Sequence, residues 1–200
     1  VVRFTLDLLR NRSLGGLSAQ IRKLARGSHP AIAAKAVEIL GTDGDVGHLD
    51  TLEQAFTSTS DAVRKTAVLA FCQIKKEAAL ERVRQWINTP DRVIKHAAFI
   101  GCGRYGGQAG LELTQPILTK MAASLVPVDR FSAARLLRDM RNPSNISLVE
   151  NLLADRDLTV RIAAVEACGA SRAPAIVPHL LRLYQSPEMR AYVLEALEQM

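Results

Sequence analysis

The side chains with the widest chemical range are four histidines, His29, His48, His96 and His179, and three cysteines, Cys72, Cys102 and Cys168. Neither set is spaced for chemistry. Helical zinc sites bring two ligands together through spacings such as HExxH, and ribbon or knuckle sites through CxxC. The histidines here are scattered and the cysteines lie far apart, with an odd count that argues against a disulfide framework. The sequence contains no GxSxG string or Ser/His/Asp grouping of the kind that builds a nucleophile. Its carboxylates are plentiful but not paired by spacing for acid–base work. One string has the form of a cofactor site: Gly101-Cys-Gly103-Arg-Tyr-Gly106 reads GxGxxG. That fingerprint works only between a strand and a helix N-terminus, where the phosphates sit. Here it follows a helical pattern with no strand in prospect. It is read as the longest loop between helices, spanning 101–110, and as a place for a partner contact. No catalytic, cofactor-binding or metal-binding residue is therefore expected. The histidines are assigned to solvent or helix caps, the cysteines to small buried positions, and Trp86 to packing.

The remaining chemistry is charge. The chain of 200 residues carries a net charge of +6. Residues 1–100 hold 15 basic and 10 acidic side chains, and residues 101–200 hold 11 and 10. The basic side chains are densest over 64–104, where Arg64, Lys65, Lys75, Lys76, Arg82, Arg84, Arg92, Lys95 and Arg104 face only Glu77, Glu81 and Asp91. Such an excess attracts acidic protein, nucleic acid or anionic head groups. Arg64, Lys65, Lys95 and Arg104 are the candidate contacts. No apolar run approaches the length of a membrane span, and no signal-peptide pattern is present. Unpaired thiols suit a reducing, cytoplasmic setting. The sequence opens at Val1-Val2-Arg3-Phe4, already inside an apolar pattern, and is expected to be a piece of a longer protein.

These residues must be positioned by a repeat. Asp61-Ala-Val-Arg-Lys-Thr-Ala-Val-Leu-Ala-Phe and Leu158-Thr-Val-Arg-Ile-Ala-Ala-Val-Glu-Ala-Cys share Val-Arg followed by alanines three and six residues later. That spacing defines one helix face. Related anchors at Val2, Ile32, Val93 and Met189 keep a period near 30 residues, with one loose repeat around 126–137. Upstream partner helices are expected at 17–26, 48–57, 78–88, 115–124, 146–154 and 174–184. Pro30, Asp61, Asp91, Pro127, Asp157 and Pro187 mark the entries to the second helices, through N1 proline and N-cap aspartate chemistry. Gly41, Gly101, Gly103 and Gly169 are read as helix stops.

The pattern Asp-x-x-Val-Arg-x-x-Ala-x-x-Ala resembles HEAT repeats, including the short bacterial variety also called PBS-lyase-like repeats. The resemblance covers essentially the whole chain. It implies an all-α, right-handed α-α superhelix, a HEAT-like solenoid of about six helix pairs plus an N-terminal half repeat, forming one domain over 1–200. In that family the Arg after Val holds neighbouring repeats together, a role implied for Arg3, Arg64, Arg161 and Arg190 and interrupted at Ala33 and Ile94. Arg161 joins the candidate partner-binding residues on this basis. The family also implies a non-catalytic scaffold or adaptor whose partner is another protein or a neighbouring domain of the parent chain. Two further readings remain open: nucleic-acid binding through a basic concave face, and an enzyme resembling bilin lyases.

Overall fold

A computed structural model describes residues 14–200, and every regular element among them is helical. The anchor at Val2-Arg3 and the N-terminal half repeat lie outside the described residues. Short helices alternate with longer ones: α1 Ser18–Ala25 and α2 Pro30–Asp43, α3 Leu49–Ala55 and α4 Asp61–Lys75, α5 Leu80–Ile87 and α6 Arg92–Tyr105. There follow α7 Gly107–Ala122 and α8 Pro127–Met140, α9 Ile146–Leu153 and α10 Leu158–Ser171, and α11 Val177–Leu183 and α12 Arg190–Gln199. The expected six pairs are present. The chain divides into two compact units, one up to Leu111 and one from Glu112, with the division inside α7.

In the first unit α2 packs on α1 and α4, and α4 packs on α6. In the second unit α10 packs on α8, α9 and α12. Within each unit the second helices thus lie side by side, and α2, α4, α6, α10 and α12 are each backed by their own first helix. Their register is set by one position on each: Ala36, Ala67, Ala98, Ala133, Ala164 and Val193 are all fully buried. These positions are 31, 31, 35, 31 and 29 residues apart. The third anchor is consequently Ile94-Lys95 rather than Val93-Ile94, one residue later than the sequence pattern suggests. Two adjacent buried alanines, Ala97 and Ala98, made both registers look acceptable. The stretched fourth repeat comes from α7. It begins at Gly107, not at 115, because Pro116 lies inside the helix rather than at its start.

Entry to the second helices follows ordinary capping. Asp91 accepts hydrogen bonds from the N–H groups of Val93 and Ile94, and Asp157 from that of Thr159. Pro30 and Pro127 occupy the first turns of α2 and α8. The glycines expected to stop these helices do something else. Gly41, Gly101, Gly103 and Gly169 are all inside helices, which run on to Asp43, Tyr105 and Ser171. A Cβ on Gly41 would lie 2.6 Å from the Cβ of Ala70, and one on Gly101 would lie 2.7 Å from Cys72 Sγ. A Cβ on Gly169 would lie 2.9 Å from the Cα of Ala196. These are points of close approach between neighbouring second helices, against backbone at Gly41 and Gly169 and against the Cys72 side chain at Gly101. The predicted loop 101–110 is likewise absent. Only Gly106 separates α6 from α7, in a corner closed by Gly107 at φ +58°.

The stops themselves are Gly44 at φ 80° and the non-glycine residues Arg141 and Arg172, each at φ 52° in the left-handed region. A side chain there carries a steric cost that glycine lacks, set against glycine's greater freedom when unfolded. Arg141→Gly and Arg172→Gly are each expected to raise stability by about 0.5–1 kcal/mol, measured by urea unfolding.

Candidate functional site

The position four residues after each second-helix N-cap decides where the cations go. It is Ala33, Arg64, Lys95, Arg130 and Arg161 in the first five repeats, and Arg190 holds the corresponding place in the sixth. Arg64 Nη1 donates to the carbonyl of Ser58 at 2.7 Å, Arg130 Nη1 to that of Ser124 at 2.9 Å, and Arg161 Nη1 to that of Asp155 at 2.9 Å. Arg190 Nε donates to the carbonyl of Tyr184 at 3.4 Å. Each acceptor lies six residues back, at the end of the preceding first helix. Carbonyls there lack helical partners, and the dipole favours a cation.

Three of these arginines also reach the next repeat. Arg64 pairs with Asp91 at 3.2 Å as well as with its own Asp61 at 2.7 Å. Arg161 pairs with Glu188 at 2.6 Å. Arg130 grips Asp155 with two parallel hydrogen bonds, Nε at 2.6 Å and Nη2 at 2.9 Å, and both side chains are only 7% exposed. The hydrogen bond from Arg130 holds the Asp155 carboxyl below the usual carboxylate range, and the same bond raises the Arg130 guanidinium. Arg130 is the member that sequence reasoning missed. Asp129 precedes it where valine was expected, and the 35-residue step hid its register.

This clamp engages two of the candidate binding residues within the fold. Arg64 and Arg161 have side chains only 18% and 19% exposed, held between carbonyls and carboxylates. Arg104 is half-buried, with its guanidinium 5.2 Å from the centre of the Tyr105 ring. Lys65 and Lys95 are exposed on α4 and α6, with Arg92 exposed beside them. Between these two adjacent helices runs a groove of about 300 Å³ lined by Asp61, Ala62, Lys65, Arg92, Val93 and His96. Its one carboxylate, Asp61, is engaged by Arg64. The structure therefore brings Lys65 together with Arg92 on one surface and removes Arg64 and Arg161 from it.

Trp86, the cysteines and the Asp43–His48 group serve packing or connection. Trp86 is buried in a cluster with Phe56 and Phe71, with ring centroids 5.0 and 5.3 Å away in edge-on geometry. The three cysteines are free and buried. Burial pushes Cys72 and Cys168 up to about 12 and Cys102 up to about 11, away from thiolate reactivity. Among the described residues, one group has metal-ligand character: Asp43, Asp45 and His48, with candidate atoms within 4.8 Å of one another. Each already has local work. Asp43 accepts from the Leu14 N–H at 3.1 Å and pairs with His48 Nε2 at 2.9 Å, and Asp45 accepts from the Gly47 N–H at 2.9 Å. These bonds fasten the connection from α2 to α3. No described helix is long and apolar enough to cross a membrane.

Paired helices in register, joined by a recurring arginine clamp, define an α-helical repeat protein. Residues 18–103, 49–124 and 114–199 match the family of HEAT repeats, and the chain belongs to that family. No curated protein matches the sequence. Among solved structures, it is similar to human deoxyhypusine hydroxylase in complex with glycerol, at 18% identity and a TM-score of 0.44, covering 99% of this chain and 78% of that one. It is also similar to an engineered protein, at 18% identity and a TM-score of 0.37, covering 91% of this chain and 95% of that one.

Proposed function

We propose that this chain is a non-catalytic interaction module, a scaffold or adaptor that binds an acidic segment of a protein partner or of a neighbouring domain of its parent chain. The observation that carries this reading is the separation of its cations. The clamp arginines are consumed within the fold, while Lys65 and Arg92 flank a groove whose single carboxylate is already paired. Lys95 stands exposed on the same helix as Arg92. Repeat surfaces of stacked helices suit extended partners. Cations left on such a surface attract an acidic chain and set its salt dependence. Three free, buried thiols suit a reducing compartment such as the cytoplasm.

A fluorescein-labelled peptide rich in Glu and Asp tests the reading by anisotropy. Binding is expected at low salt and should weaken as salt rises. Lys65→Glu with Lys95→Glu should weaken it about tenfold or more through like-charge repulsion, with the unfolding midpoint unchanged. Peptide binding that ignores both substitutions would remove the basic groove from the account. A DNA duplex bound more tightly than the peptide, with a steep salt slope, would replace it with a nucleic-acid surface.

A further inference from the structure

The clamp is missing where the first repeat of the described chain meets the second. Ala33 stands where Arg64, Arg130 and Arg161 stand, and it is 3% exposed. The acid is missing as well. The second repeat enters its long helix through Ser58-Thr59-Ser60, where the third and fifth repeats carry Asp91 and Asp155. With both halves of the ion pair replaced by small residues, a pocket of about 380 Å³ remains. Its walls include Arg26, Thr51, Gln54, Ser58, Thr59 and Ser60.

One cation enters this space from a different direction. Arg26, just past the end of α1, donates to the Thr51 hydroxyl at 3.1 Å across the same junction. Among the described residues it meets no carboxylate, unlike the clamp arginines at the sister junctions. The wall thus offers a guanidinium, several hydroxyl groups and an amide, with Ala25, Pro30, Ala33, Ala55 and Val63 supplying an apolar lining. A cationic ligand would meet Arg26 at close range, whereas a carboxylate would meet donors on several sides. Arg–carboxylate pairing is also the geometry this fold uses at its intact junctions.

We propose that the pocket beside Ala33 is a binding site for a carboxylate, the Glu or Asp side chain of a partner, which completes from outside the ion pair that other repeats complete internally. The inference deepens the reading of an acidic partner and rests on it for the source of the ligand. The pocket itself is testable without any partner.

The probe is N-acetylglutamate methylamide, which carries one carboxylate, followed by two-dimensional amide NMR of the full chain. Saturable shifts are expected at Gly27, Ser28 and Ser58 to Ser60. The neutral glutamine analogue should produce none. Arg26→Gln, at an exposed position, should weaken binding by about tenfold, the scale of one charge-assisted hydrogen bond. Ala33→Arg should fill the pocket and abolish the shifts. If that variant does not fold, Arg26→Gln still decides. Absence of saturable shifts, equal shifts from the glutamine analogue or from inorganic phosphate, or indifference to Arg26→Gln would each overturn the proposal. The groove reading is scored separately: Lys65→Glu with Lys95→Glu should leave these pocket shifts intact while weakening the acidic peptide. Loss of the pocket shifts in that double variant would contradict the assignment to Arg26.

Discussion

Arg130→Ala will lower the midpoint of thermal unfolding several times more than Arg138→Ala, although both arginines bind an acid of the next repeat. The Arg138–Glu166 pair, at 2.8 Å, has side chains 32% and 46% exposed. Exposed pairs of this kind contribute between nothing and about 1 kcal/mol. The Arg130–Asp155 pair is shielded from water, and its guanidinium also satisfies the carbonyls of Ser124 and Leu125. Truncating the arginine leaves a buried carboxylate with only the Asp157 N–H donating to it, strands the Ser124 carbonyl, and leaves the Leu125 carbonyl with only Arg156 at 3.4 Å. The large loss comes from those stranded groups, not from a high net worth of the pair. Replacing both partners with apolar residues, Arg130→Met with Asp155→Leu, should accordingly recover part of what Arg130→Ala loses.

The pair also gives stability a pH dependence of known sign. The folded chain holds Asp155 below its ordinary value of 3.8. A depressed carboxyl contributes stability that is present above the unfolded value and is lost as pH falls through the folded one. Acid unfolding of the native chain should therefore steepen below pH 3.8, and the Asp155 component should shrink in Arg130→Ala, which removes its largest cause. Urea titrations at about pH 7 and about pH 3 measure both effects.

Glycine contacts between second helices are the next most sensitive points. Gly41→Val and Gly101→Val should each destabilise by about 1–3 kcal/mol, the range for overpacking a tight interface. The two should differ in how they can be rescued. A side chain at Gly101 meets Cys72 Sγ and Cβ at 2.7 and 2.9 Å, so Cys72→Ala opens part of the space. At Gly41 the obstacle includes the Cα of Ala70 at 2.8 Å. Backbone cannot be trimmed, and Ala70→Gly should help less. A double-mutant cycle in urea measures both couplings. Equal rescue at the two sites would show that the helices can simply move apart.

Helix pairing was legible in the sequence because a small apolar residue at a fixed place in each second helix, alanine in five and Val193 in the sixth, must be buried for neighbours to approach. The clamp positions at Arg64 and Arg161 were legible through the resemblance to HEAT repeats, which implies that role for the arginine after valine. Other features escaped. Gly41, Gly101 and Gly169 look like helix stops in one dimension, and only a neighbouring helix shows them to be contact points. Arg141 and Arg172 end their helices in a conformation that residue type does not advertise. Arg130 was obscured by Asp129, and the register at Lys95 by the doubled alanines. The sequence counted Arg64 and Lys65 as equivalent charges. Their separation into a buried clamp and an exposed groove depends on which way adjacent side chains leave one helix.

That separation is the central claim, and one paired titration tests it most directly. The labelled acidic peptide is titrated into Lys65→Glu with Lys95→Glu and, alongside it, into Arg161→Met, with unfolding recorded for both. The lysine variant should lose about tenfold in affinity and keep its stability. The arginine variant should lose stability and, while still folded, keep its affinity. Loss of peptide binding in Arg161→Met at native stability, with none in the lysine variant, would contradict the account.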